Sequence, residues 1–219
     1  MANSDIPIIE IIILLILLVI TRVMYVIHKV TTGHTKLTDK KRTHPAKTII
    51  CMGSGGHTTE MLLLIQGLDF KKYTPRSYII AKTDTTTYKK IKHFESTFNE
   101  GSYTIYKVPR SREVHQSYIT SIFSTLYSIL YCIPLILKIR PDVVLCNGPG
   151  TCIPICGLVF LLKVAFLSQC RIVFVESFCR TETFSLTGKI LMYFADNIVV
   201  QWPKLQQKLK RSDYIGQLM

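Results

Sequence analysis

A histidine directly behind a run of glycines is the first place where this chain could do chemistry. Thr48-Ile-Ile-Cys-Met-Gly53-Ser54-Gly55-Gly56-His57-Thr58-Thr-Glu60-Met61 reads as an apolar strand entering a glycine turn that opens a helix. Such a turn aims backbone N–H groups and the positive end of the helix dipole at a phosphate. The dinucleotide fingerprint needs a third glycine where Thr58 stands, and the ATP-type loop needs Gly-Lys-Ser/Thr, which this loop lacks. Gly53, Ser54, Gly55, Gly56 and Thr58 therefore point to a phosphate or pyrophosphate ligand rather than NAD or ATP, and no cofactor is expected. Glycines also serve tight turns that bind nothing. A histidine near a helix N-terminus is biased towards its neutral form, which suits a general base, whereas a bound pyrophosphate would favour the charged form.

Further groups follow other strand-like runs. Asn147-Gly148-Pro149-Gly150-Thr151 is a second glycine-rich turn, and Glu176-Ser177 closes the run ending at Val175. Both sit at carboxyl ends of strands, as the first loop does, and open α/β sheets place their ligands there. Glu176 would repel a pyrophosphate, so it fits a sugar hydroxyl or a base role, with capping of the next helix as the other reading. Pro109-Arg110-Ser111-Arg112-Glu113-Val114 offers two guanidiniums suited to phosphate, or else an exposed charged loop. Cys152 and Cys156 stand one helical turn apart with no further Cys or His in zinc-site spacing, so no metal is expected. The seven cysteines, mostly in apolar contexts, read as reduced, buried thiols of a cytosolic domain.

Positioning these groups requires alternating elements. Strands are expected at Thr48–Met52, Ser77–Ala81, Tyr103–Val108, Asp142–Cys146, Arg171–Val175 and Asn197–Val200. Helices are expected at Thr58–Ile65, Tyr88–Phe98, Ser117–Ile139, Gly150–Phe166 and Ser185–Phe194. That alternation predicts an α/β fold, a Rossmann-like parallel sheet with flanking helices. Ser117–Ile139 and Gly150–Phe166 are apolar enough to be taken for membrane spans. The strand between them is useful only if both return to one sheet, so they are expected to be crossovers, buried or with one face dipping into a bilayer.

Ile6–Ile27, interrupted only by Glu10 and Arg22, has about the 20 residues a helix needs to cross a hydrocarbon core. It starts beside Asp5 and runs into bulky residues, unlike a cleaved signal, and reads as an uncleaved anchor. No Lys or Arg precedes it, whereas Arg22, Lys29, Lys36, Lys40, Lys41, Arg42 and Lys47 follow, so the body should face the cytosol. The net charge of +13 is concentrated here and near the C-terminus; anionic lipid and phosphate-bearing ligands account for it without nucleic acid.

The strings GSGGHTTEM, PRSREV, LCNGPGTCIPIC, VESFCRTETFSLTGK and VQWP, with the ending Tyr214-Ile-Gly-Gln-Leu-Met219, resemble the membrane-anchor subunits of the endoplasmic reticulum UDP-N-acetylglucosamine transferase. The resemblance spans Thr48 to Met219, with slight departures at Thr181 and Leu186. It implies the acceptor-side, N-terminal half of a GT-B glycosyltransferase, inactive alone, whose soluble partner supplies the UDP-GlcNAc-binding half. The implied reaction adds the second GlcNAc to GlcNAc-pyrophosphoryl-dolichol on the cytosolic face of the membrane, with the N-terminus lumenal. By that resemblance His57 or Glu176 would be the base, and the glycine loop would hold the acceptor pyrophosphate. Arg110, Arg112, Asn147, Gly148, Gly150, Thr151, Ser177 and Glu182 would support the acceptor, and Tyr214, Ile215, Gly216 and Leu218 would dock the partner. The expected organisation is an anchor over 6–27, a basic linker over 28–47, the sheet domain over 48–213 and a docking tail over 214–219. A membrane recruiter that contributes nothing to the site is the competing reading.

Overall fold

Thr48–Cys51 (β1), β-branched but for its cysteine, is buried at every position, as a strand covered on both faces must be. In the computed structural model, which describes residues 5–33, 42–112, 116–148 and 150–217, it lies inside the sheet, third from one edge. The other strands are β2 (Arg76–Ala81), β3 (Tyr103–Val108), β4 (Val143–Asn147), β5 (Arg171–Val175), β6 (Asn197–Val200) and β7 (Asp213–Tyr214). Their order is β3-β2-β1-β4-β5-β6-β7, and every neighbouring pair is parallel. From β1 the chain winds outward through β2 and β3, then returns to the other side of β1 and winds outward again from β4. The turns after β1 and β4 therefore diverge and leave a crevice, the switch point where open α/β sheets receive ligands.

The helices are α1 (Asp5–Thr31), α2 (Gly56–Gln66), α3 (Thr85–Phe98), α4 (Tyr118–Ile139), α5 (Cys152–Val164), α6 (Leu186–Leu191) and α7 (Pro203–Lys208). All six expected strands and five expected crossover helices are present, most within two residues of their expected ends. The short α7 and the two-residue β7 were not signalled. β7 adds a seventh strand, and the Ile215 N–H donates to the Val200 carbonyl at 3.2 Å. The segment 214–219 thus begins inside the sheet. Lys36, Lys40, Lys41, Glu113, Val114, Pro149 and Leu218 lie outside the described residues.

Among the described residues, two helices are long and apolar enough to cross a membrane, α1 and α4. α4 runs between β3 and β4 of one sheet and packs against α5, so it is a crossover, as topology requires. Its inner face buries Cys132 and Ile136, while Ile119, Ile122, Phe123, Leu126, Tyr127 and Leu130 stand exposed on the outside. α5 is largely buried. On α1, the large apolar residues from Ile8 to Ile20 are all exposed, but Val26 and Val30 join the core. Arg22 explains the change: its guanidinium donates to the carbonyls of Val164 (3.0 Å) and Lys163 (3.2 Å) at the end of α5 and lies 3.6 Å over the Phe166 ring. A cation at orphan C-terminal carbonyls is favourable, so the charge that interrupts the apolar run is the one that docks it to the domain.

Arg76 and Glu95 form a buried bidentate pair at 2.9 and 2.6 Å, joined by the Tyr78 hydroxyl at 2.5 Å, which pins α3 against β2. Buried, with three donors engaging the carboxylate, this pair is structural.

Candidate functional site

The turn after β1 is shaped by Gly55, whose φ of +62° and ψ of −123° suit only glycine. α2 starts immediately behind it with no side-chain cap, so its first N–H groups have no side-chain acceptor. The Thr58 hydroxyl is not available to a ligand. It is buried, donates to the Gly53 carbonyl at 2.7 Å and meets the Thr87 hydroxyl at 2.7 Å, while the Thr87 N–H is capped by Asp84 at 2.9 Å. Thr58 therefore ties the loop to the start of α3, and any anion contact must come from backbone and from Ser54, which is exposed.

The turn after β4 meets the first one across the crevice. His57 Nδ1 lies 2.9 Å from Asn147 Oδ1. A carbonyl oxygen only accepts, so Nδ1 is the donor in this contact, and in the neutral imidazole the lone pair is then on Nε2. Gly148, at φ +66°, brings its backbone against the imidazole; a Cβ there would lie 2.7 Å from His57 Cε1. His57 is about one third exposed, whereas Asn147 is fully buried with no partner for its Nδ2 among the described residues.

A cleft of about 740 Å³ is lined by Gly53 and Ser54 of the first turn and Gly150 and Thr151 of the second; His57, Asn147 and Gly148 are not among its lining residues. Its polar lining includes Ser54, Arg110, Arg112 and Thr151 together with the carboxylate-bearing Asp84, and its apolar lining includes Ile122 and Leu126 of α4 and Leu186 and Ile190 of α6. The Arg112 guanidinium also donates to the Gln116 carbonyl at 3.0 Å.

Glu176 does not line this cleft. It is fully buried and accepts from the Ser177 N–H (3.1 Å), the Ser185 N–H (3.0 Å) and the Ser185 hydroxyl (3.2 Å). Burial pushes its carboxyl above the usual carboxylate range, against hydrogen bonds that favour ionisation. A Cβ on Gly188 would collide with Glu176 Oε2, so α6 packs directly on the carboxylate. The geometry fits the capping role better than the base role. Ser177 is buried beside it, and Glu182 is exposed and pairs with Lys204 at 2.6 Å.

Sequence reasoning passed over Glu60. Its carboxylate is 2% exposed and accepts from the Phe178 N–H (2.7 Å), Gln201 Nε2 (2.5 Å) and the Ser177 hydroxyl (3.2 Å), and it lies 3.8 Å from His57 Nδ1. The available signal was its place three residues after His57, on the same face of α2. Gln201, at the end of β6, also donates to the Glu176 carbonyl at 3.2 Å. Glu60 and Gln201 thus bind the ends of β5 and β6 to the glycine-loop helix.

Residues 48–218 match the family model described as "Oligosaccharide biosynthesis protein Alg14 like". The chain belongs to the Alg14 family. The mouse UDP-N-acetylglucosamine transferase subunit ALG14 is 47% identical over 78% of this chain and 82% of its own length. The Schizosaccharomyces pombe subunit of the same name is 45% identical over 81% and 85%, and that of Candida albicans 37% over 93% and 92%. Among solved structures, MurG of Acinetobacter baumannii superposes with a TM-score of 0.50 at 14% identity, over 72% of this chain and 42% of that protein. That likeness concerns the fold alone: the parallel sheet with flanking helices, which the strand alternation predicted, resembles part of a GT-B glycosyltransferase, which the family resemblance implied. The glycine turns, the His57–Asn147 contact, Glu60 and Glu176 all fall within the matched residues.

Proposed function

We propose that this chain is the membrane-anchored, acceptor-side subunit of a UDP-N-acetylglucosamine transferase that adds the second GlcNAc to GlcNAc-pyrophosphoryl-dolichol. The relatives carry the subunit name. The observation that carries the reading is a cleft at the switch point lined by Ser54, Arg110 and Arg112 and by apolar residues of α4 and α6, with the His57 imidazole held by Asn147 on the turn whose Gly53 and Ser54 line that cleft. The acceptor pyrophosphate lies against the backbone of Gly53 to Gly56 with Ser54, Arg110 and Arg112, and the first isoprene units lie along Ile122, Leu126, Leu186 and Ile190. His57 Nε2 takes the proton of the acceptor 4-hydroxyl as that oxygen bonds to the anomeric carbon of the donor. The bond from that carbon to the diphosphate breaks, and UDP leaves on the soluble partner, with inversion. Glu176 and Ser177 hold the floor of the site rather than touching substrate.

The exposed stretch of α1 crosses the membrane with its N-terminus lumenal, and the outer face of α4 rests on the cytosolic leaflet of the endoplasmic reticulum, so the lipid acceptor need not leave the bilayer. The chain alone should be inactive, and with the soluble subunit it should transfer GlcNAc to a long-chain acceptor. The paired change Phe123→Glu and Leu130→Glu, on exposed α4 positions, should cut transfer to the long-chain acceptor at least about tenfold, since charge on a lipid-facing surface costs about 2 kcal/mol or more. Transfer to a short, water-soluble acceptor should barely change. Equal loss on both acceptors would remove α4 from the lipid path, and transfer by the chain alone would overturn the two-subunit reading.

The exposed Tyr214 and Ile215 offer apolar surface for the partner next to β7. Because Tyr214 belongs to the sheet, deleting the tail would also disturb the domain, and point changes are the cleaner test. Tyr214→Glu with Ile215→Glu should abolish co-purification of the soluble subunit while leaving this chain in the membrane fraction; undiminished capture would place docking elsewhere.

A further inference from the structure

We propose that Glu60 is the positioning residue for His57, a buried anion that steadies the imidazole and offsets the charge it gains on taking the acceptor proton. The inference rests on the reading of His57 as the base.

His57 and Glu60 are three residues apart at the start of α2, so their side chains share one face. Glu60 Oε1 is saturated by the Phe178 N–H and the Gln201 amide, which fixes the carboxylate between the ends of β5 and β6. Among the described residues Oε2 accepts only from the Ser177 hydroxyl, and it lies 3.8 Å from His57 Nδ1. That distance is too long for a hydrogen bond but short for a charge interaction away from water. Asn147 Oδ1 takes the Nδ1 proton at 2.9 Å, so tautomer and charge are served by different groups. Asn147 sets which nitrogen is basic, and Glu60 supplies the negative charge that neutral Asn147 lacks. A carboxylate behind a catalytic histidine performs both tasks in hydrolytic triads.

Purely structural work would require only three satisfied acceptors. A charge interaction requires, in addition, that the effect of Glu60 pass through the imidazole. The full chain, reconstituted with its soluble partner, separates the two in a double-mutant cycle. Glu60→Gln should lower kcat about 10- to 100-fold, within the range general-base assistance supplies. The acceptor KM should stay within about threefold, because the lost interaction appears only as the proton moves. In a His57→Ala background the same change should cost no more than about twofold, since there is no imidazole left to steady. Losses that multiply in the double variant, or an unchanged kcat in Glu60→Gln, overturn the proposal. Should Glu60→Gln fail to assemble with the partner, Glu60→Asp, which withdraws the charge by one methylene, goes through the same cycle with the same two outcomes. Full turnover by His57→Ala alone would instead sink the assignment of the base, so the two failures are distinguishable.

Discussion

His57→Ala is expected to lower the turnover of the reconstituted transferase by about 10²- to 10⁴-fold, the range supplied by a positioned general base, while partner capture and membrane association stay intact. The expectation follows from three features of the site. Nδ1 is committed to Asn147, so the basic nitrogen is Nε2. The ring is about one third exposed and stands on the turn whose Gly53 and Ser54 line the cleft, so a hydroxyl can approach it. Neither Glu60 nor Glu176 can substitute, because both carboxylates are buried and engaged by backbone and side-chain donors. Turnover measured at saturating acceptor and donor is the deciding quantity. A variant retaining more than about one tenth of wild-type kcat would return the chain to the reading of a tether, since that is less than general-base assistance is worth.

Much of this site was legible because its chemistry depends on local sequence. β1 announces itself by an apolar β-branched run, and the glycines behind it mark a turn that other residues cannot make. The same holds for Asn147, which ends β4, and Gly148 behind it. Placing both turns at carboxyl ends of parallel strands was enough to bring them to one edge. What the sequence could not supply was strand order, and hence that these two turns, ninety residues apart at His57 and Asn147, are nearest neighbours across the switch point.

Other misreadings have physical causes. Thr58 stands where a ligand group would, yet its hydroxyl is spent on the Gly53 carbonyl and Thr87, a tertiary contact with α3 that no local pattern reveals. Glu176 drew interest as a charged residue at a strand end; its three donors come from Ser177 and Ser185, and only the fold shows α6 closing over it. Glu60 was hidden by its setting, a single acid on a helix that otherwise buries Met61 and Ile65. Its partners are more than a hundred residues away. β7 was missed because two residues carry no periodicity.

Gly148→Ala should be nearly as damaging as loss of the histidine, and for a reason that separates catalysis from stability. The added methyl group would lie 2.7 Å from His57 Cε1 and 3.0 Å from Nδ1. The backbone at φ +66° must also be held in a conformation that costs a residue with a Cβ about 1 kcal/mol or more. The colliding atoms belong to the end of a side chain, so the ring turns aside and breaks its 2.9 Å contact with Asn147. A base displaced by about 1 Å can lose 10²-fold, so turnover should fall by about that factor or more. The unfolding midpoint should drop only by about 2 to 4 °C per kcal/mol in a domain of this size. The double variant with His57→Ala tests the cause: with the imidazole gone the methyl group has room, so the stability loss should shrink to the backbone part alone. A loss that stays as large without the ring would mean that the turn after β4 is strained on its own account, and that Gly148 does not set the orientation of His57.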